Sequence, residues 1–430
     1  QPSLLVFDGV RDLDALRAYL PTVAGWRVIV TSDAADSGEP DNEVPVEPPN
    51  ASELTGPTGF SDEICEELGR LPVVLDLAAA TQREQGQGAA QYLNRLRSVV
   101  AGPLLGDGRD GSHYQERYPT AAAEVALVAL RDAGFDRDSV VRRVLGLLTV
   151  LSPGGVSRAL LYQAGEQSEL EDAVTRLGRW SLAAGRMDGD GVVLHEMIRR
   201  LVADRLRSED ALPKAIADAA DLLDRATFGE EQAWDRRGEG DQLIAHIAAL
   251  STSAGSVSAS LPTEITERVL SLRQWATRQL SAVGDGNRAV ELAESIRTEC
   301  ETLLGAEHPD SLVTSDNLVI AYVAARRSRE GIPLAEEVLD TRERVLGPDH
   351  QDTLVSRYTL AYVNEYAGRL DKAVELYDRA YSGYLRTYGQ DNSQTQTVAT
   401  ALARVRAVAP AQVAGRHRDG HRPPSHRPTS

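Results

Sequence analysis

The sequence predicts a mainly α-helical chain that opens with a short α/β segment and closes with a helical solenoid. Three observations carry this reading: an internal repeat with a period of 42, helical spacing of apolar residues from Ser61 onward, and strand-like apolar runs at residues 3–8 and 27–31.

Taken in order, Ser3 to Asp8 (SLLVFD) and Arg27 to Thr31 (RVIVT) read as buried strands, with a helix between them at Leu13 to Leu20, which makes a βαβ unit. Between Arg27 and Arg70 there is no Lys or Arg, while eleven carboxylates and five prolines crowd the stretch, so it reads as mostly loop. From Ser61 the period becomes helical, through Ile64, Leu68, Leu71, Val74 and Leu77, until the Gly/Asp loop at 106–112. Residues 120–206 read as helix, helix, short helix, helix, hairpin, helix, with the turn Asp188-Gly189-Asp190-Gly191 supplying the hairpin chemistry. Three helices and a hairpin suggest a winged helix. Its candidate recognition helix mixes Arg176 and Arg179 with Glu169, Glu171 and Asp172, which favours a structural role over DNA contact.

The repeat is the clearest signal. Leu304-Gly305, Leu346-Gly347 and Tyr388-Gly389 are spaced by 42, as are Ser311, Thr353 and Thr395, and Leu318, Leu360 and Leu402. Three helix pairs are expected over about 264–388 and a closing helix over 394–408, each pair burying its apolar face on its neighbours. Gly347 and Gly389 are expected to end helices in a left-handed conformation, and Asp310 and Asp352 to cap the next ones. The expected divisions are thus 1–60, 61–115, 116–210, a helical linker at 211–263, the solenoid at 264–408, and a disordered tail at 409–430 rich in Arg, His and Pro.

Composition narrows the function classes. The 430 residues suggest roughly three domains. With 46 basic against 64 acidic residues, the net charge of −18 argues against general nucleic-acid binding. The longest apolar run, Val144 to Leu151, stops at Ser152-Pro153-Gly154, short of the roughly 18 to 20 residues of a membrane span. Cys65 and Cys300 are the only cysteines, far apart and without metal-ligand spacing, so a reducing, cytoplasmic setting is expected. The chain runs from Gln1 into an apolar segment within three residues, as if entered within a domain.

The segments LGAEHPDSL (304–312) and LGPDHQDTL (346–354) resemble the 42-residue tetratricopeptide (TPR) repeats of the kinesin-light-chain type. That resemblance implies a right-handed superhelix whose concave face receives peptides or helices. It places Asn317 where the subfamily often holds a peptide backbone; the next repeat departs with Thr359. The same amide also reads as an ordinary polar group on a helix face. Upstream, LLVFD, RVIVTSD, GRLPVVL (69–75) and VVLHEMIRRLV resemble, in order, the later motifs of an NB-ARC nucleotide switch, the STAND class of P-loop ATPases. The resemblance implies Asp8 as the magnesium-site carboxylate, Pro72 against adenine, and His195 on the diphosphate of ADP. Asp33 replaces the arginine of the sensor strand. Each residue has a plainer reading as well: Asp8 as a strand end, Pro72 as a helix start, His195 as a helix cap.

No G-x-x-x-x-G-K-[ST] occurs, and the two lysines, Lys214 and Lys372, lie outside any glycine-rich loop. The chain is therefore expected neither to hydrolyse ATP nor to hold a cofactor alone, ADP or ATP with magnesium belonging to a longer protein. The expected function is a signalling or transcription-regulatory switch coupled to a partner-binding TPR scaffold, with the capacity to form homo-oligomers. The alternative is a pure interaction scaffold with an inert NB-ARC remnant. Seven tyrosines between Tyr358 and Tyr388 fall on helical stripes that suit either packing or partner binding.

Overall fold

The computed structural model describes residues 3–7, 26–30, 72–86, 88, 91–92, 120–186 and 190–419. The chain divides into two compact units, Gln1–Leu71 and Pro72–Ser430. In the first, β1 (Ser3–Phe7) and β2 (Trp26–Val30) pair in parallel, from Ser3 opposite Trp26 to Phe7 opposite Val30. A parallel pair needs a crossover longer than a hairpin, which the sequence between the strands has the length to supply. Asp8 and the acid-rich segment after Thr31 lie outside the described residues.

The second unit is mainly helical. Helix α1 (Pro72–Gln85) packs on α2 (Thr120–Ala133), burying Val74, Leu75 and Leu77. Next come α3 (Ser139–Val150), strand β3 (Val156–Ser157), the short α4 (Arg158–Leu161), α5 (Gln167–Arg179), strands β4 (Ala183–Gly185) and β5 (Gly191–Leu194), and α6 (Glu196–Ser208). Asp138 caps α3 by accepting from the amides of Val140 and Val141 at 2.9 and 3.3 Å, and Arg176 of α5 donates to the same carboxylate at 2.7 Å. That contact ties the candidate recognition helix into its own module. β5 lies between β3 and β4, antiparallel to both. At two residues, β3 is too short to carry a sequence signal.

Helices α7 (Leu212–Ala226) and α8 (Arg237–Gly255) occupy the segment expected to be a linker. They pack as a further pair on the repeats that follow: α9 (Thr263–Ala282), α10 (Gly286–Leu304), α11 (Pro309–Ala324), α12 (Ser328–Leu346), α13 (Gln351–Tyr366), α14 (Leu370–Tyr388) and α15 (Ser393–Asp419). The first helices of successive pairs touch one another, α7 on α9, α9 on α11 and α11 on α13, whereas among the described residues successive second helices make no comparable packing. The stack therefore curves with its first helices inside. Helix α7 also packs on α3, so it belongs both to the hairpin module and to the stack. Helix α15 continues to Asp419, beyond the expected boundary at 408 and into the segment expected to be disordered.

The repeat linkers differ from expectation in two details. Gly305, Gly347 and Gly389 have the anticipated positive φ (92°, 88° and 79°), but ψ of 156° to 175° puts them in the mirror-extended region that only glycine tolerates well. The caps of α11 and α13 are His308 and His350, whose Nδ1 atoms accept from the amides of Asp310 and Asp352 at 3.3 and 3.2 Å; the two aspartates sit in the first turn. One period further on, Asn392 does the same for α15, accepting from Gln394 and Thr395.

Candidate functional site

The inner face is built from one stripe per first helix. On α11, Val313, Ile320 and Ala324 are half-buried, and with Asn317 they are spaced 4, 3 and 4 apart, which brings them onto one side of a helix. One period later the same positions on α13 carry Val355, Thr359, Tyr362 and Tyr366; on α15 they carry Thr397, Ala401, Arg404 and Val408. Asn317 is 7% exposed, and among the described residues its Nδ2 has no hydrogen-bond partner. Such a buried donor without an acceptor costs about 1–3 kcal/mol. Thr359 is buried, while Tyr366 is more than half exposed.

The tyrosine stripes divide between packing and surface. Tyr377 and Tyr384 are buried between repeat helices, as the packing reading has it. On the inner side, the rings of Tyr358 and Tyr362 lie 6.4 Å apart and those of Tyr362 and Tyr366 4.7 Å apart. Arg404 meets Glu365 through two nitrogens, at 2.9 and 3.1 Å, and the Tyr377 hydroxyl donates to Glu365 at 2.9 Å. Burial pushes the Tyr362 and Tyr377 hydroxyls well above the ordinary tyrosine range and Tyr384 up to about 12, so all three stay protonated at neutral pH.

At the first repeat the stripe positions are Ser271, Trp275, Arg278 and Ala282. Here the chain covers itself: the Trp275 indole N–H donates to the Phe228 carbonyl at 2.8 Å, Gln279 Nε2 donates to the same oxygen at 3.2 Å, and Arg278 pairs with Glu230 at 3.2 Å.

Between the stripes, polar triads lock successive repeats. Arg342 of α12 donates to Asp316 of α11 at 2.6 Å and to Ser356 of α13 at 2.7 Å, and all three are buried. Burial pushes the Asp316 carboxyl up to about 6, against the opposing pull of Arg342. One period earlier the same positions hold Gln274, Cys300 and Thr314, with Gln274 donating to Thr314 at 3.0 Å. One period later they hold Tyr358, Tyr384 and Val398.

Asp8 lies outside the described residues, and Pro72 opens α1. His195 is exposed and caps α6, its Nδ1 accepting from the Met197 amide at 3.2 Å. A cleft of about 320 Å³ between α3, α5 and α7 is rimmed by Arg142, Arg143 and Lys214. Each of these cations already meets a carboxylate: Arg142 with Glu209, Arg143 and Lys214 with Asp218. Among the described residues no cluster of three or more His, Cys, Asp and Glu could hold a metal ion, and no helix is long and apolar enough to cross a membrane.

A family model of the tetratricopeptide repeat matches residues 318–386, so this part of the stack carries TPR repeats. No curated protein matches the chain. Among solved structures, it is similar to BtubC (BKLC) from P. vanneervenii, at 17% identity over 53% of this chain and 91% of that one, with a TM-score of 0.34. It is also similar to a protein described as a kinesin light chain with nearly identical TPR-like repeats from Podosopora anserina, at 18% identity, 54% and 94% coverage and a TM-score of 0.33. A third is a Signal Transduction ATPase with Numerous Domains (STAND) protein with a tetratricopeptide repeat sensor from Pyrococcus horikoshii, at 12% identity over 94% of this chain and 65% of that one, with a TM-score of 0.29.

Proposed function

We propose that this chain belongs to a signalling or transcription-regulatory protein of the STAND type, in which a nucleotide switch is coupled to a TPR scaffold holding a protein partner in the inner groove. The observation that carries the partner half is Asn317, a buried amide donor with no acceptor among the described residues, set in an apolar stripe on the inner side of the stack. A backbone carbonyl delivered by a bound segment would remove that cost. The switch half is supported by the order of the sequence motifs, with Asp8 as magnesium-site carboxylate, Pro72 against adenine and His195 on the diphosphate. For His195 the fit reduces to Nε2, because Nδ1 is engaged in capping.

A specific observation favours the alternative of an inert remnant: His195 caps its helix through the same atom as His308 and His350, which needs no nucleotide. The chain as it stands is expected to show no measurable affinity for Mg-ATP, since neither lysine lies in a phosphate cradle. Equilibrium dialysis tests this, and low-micromolar binding would overturn it. The groove is tested by selecting a binding peptide from a random display library on the full 430-residue chain. Titrating that peptide against Asn317→Ala should show an affinity loss of about tenfold or more; unchanged affinity would remove the groove from the account.

A further inference from the structure

The inner stripe is not equally open along its length, and the register of the repeats shows where it closes. Trp275 stands one period before Asn317 and two before Thr359, while Arg278 stands one period before Ile320 and two before Tyr362. In α11 the first of these positions carries a donor without an acceptor; in α9 it carries a donor bound to the Phe228 carbonyl. The backbone at Thr227 (φ −64°, ψ 154°) and Gly229 (φ −70°, ψ 158°) is extended, so an extended piece of the chain lies where a bound segment would lie one repeat later.

That piece is fixed in place. Phe228 is 9% exposed, meets the Trp275 ring edge-on at 5.3 Å, and has the Arg236 guanidinium 4.0 Å from its ring centre. Trp234, on the same loop, is by contrast 65% exposed, the highest exposure of any large apolar side chain among the described residues. Tryptophans are over-represented among the side chains that dominate binding energy.

We propose that residues 227–236 form the end wall of the groove, and that Trp234 is a specificity-determining contact for a partner segment lying on α11 and α13 with one end against that wall. The inference rests on the groove reading above and adds the partner's chemistry: an extended, apolar segment. Extended conformation follows from the backbone carbonyl that this register accepts in the first repeat. Apolar character follows from Val313, Ile320, Val355 and Tyr362 along the floor.

The test uses the peptide selected on the full chain. Trp234→Ala, at an exposed site, should leave the melting temperature unchanged and weaken that peptide by about fivefold or more, and binding should shift the tryptophan emission of the wild type. If Asn317→Ala weakens binding and Trp234→Ala does not, the wall is wrong and the groove stands. If Trp234→Ala alone weakens it, the groove reading fails and this inference fails with it. Loss in neither variant, or no selectable peptide, overturns both.

Discussion

At the scale of single residues, two side chains sit where their chemistry is under strain: Arg326 in a position that favours glycine, and His246 as a buried imidazole. Arg326 has φ of 60°, and the residues one period away on either side, Gly284 and Gly368, have φ of 78° and 77°. In the three pairs from α9 to α14 the turn between first and second helix thus takes the left-handed region, and arginine meets it at a steric cost. Arg326→Gly should raise stability by roughly 1 kcal/mol, read as a shift of the urea midpoint. His246 of α8 is a second case: buried at 3% exposure, it accepts the Ser152 amide through Nδ1 at 3.1 Å. Burial, with Arg186 adding to it, lowers its pKa from 6.5 to about 4. The unfolded chain therefore binds more protons between those values, so this group's contribution is complete above pH 6.5 and is lost as pH falls toward 4, by on the order of 3 kcal/mol. Asp316, whose pKa is raised, acts in the opposite sense between about 4 and 6. Comparison of the wild type with His246→Gln isolates the histidine. The stability difference between the two should change by on the order of 3 kcal/mol against the wild type as pH falls from 6.5 toward 4, and parallel curves would exclude His246 as the source.

At the scale of elements, the polar triad makes a sharper demand than any apolar contact in the stack. Arg342→Met leaves Asp316 buried beside a thioether, and a loss of about 3–5 kcal/mol is expected; adding Asp316→Leu should recover most of it. A double variant as unstable as the single one would show that packing, not charge, sets the cost. The elements also show which features the sequence made legible. A period of 42 fixes where helices begin and end because the glycine and cap positions recur, so the pairs from α9 to α14 were readable from spacing alone. It could not reveal α7 and α8 as part of the stack, because the loop joining them holds residues 227–236 where later repeats have a short turn, and the register is lost. Asn317 was legible through the resemblance, whereas its missing acceptor and the contact between Trp275 and Phe228 depend on packing between distant segments. The histidine caps were hidden by composition: in LGAEHPDSL an aspartate is the ordinary choice for a cap, and only backbone geometry shows that the residue two earlier does it.

At the scale of the whole molecule, the sharing of α7 between the hairpin module and the repeats means that the solenoid has no free first face. A fragment beginning at residue 263 would uncover Leu272 and Trp275, which are 1% and 7% exposed in the intact chain, whereas one beginning at 209 keeps them covered. The longer fragment, ending at 408 like the shorter, should melt cooperatively and remain monomeric; the shorter should bind a hydrophobic dye and aggregate. Equal behaviour of the two would show that α7 and α8 are dispensable. The triads have a further consequence for how such a chain is assembled during synthesis. Near-identical repeats can stack in the wrong order or trade places between two nascent chains, since every face then fits every other. Here each storey has its own key. If α12 skipped its neighbour, Arg342 would face Thr314 or Val398 in place of Ser356, and Asp316 would lose the cation it pairs with. Misordered stacks are thus penalised level by level, so that the array folds in a single sequence of floors.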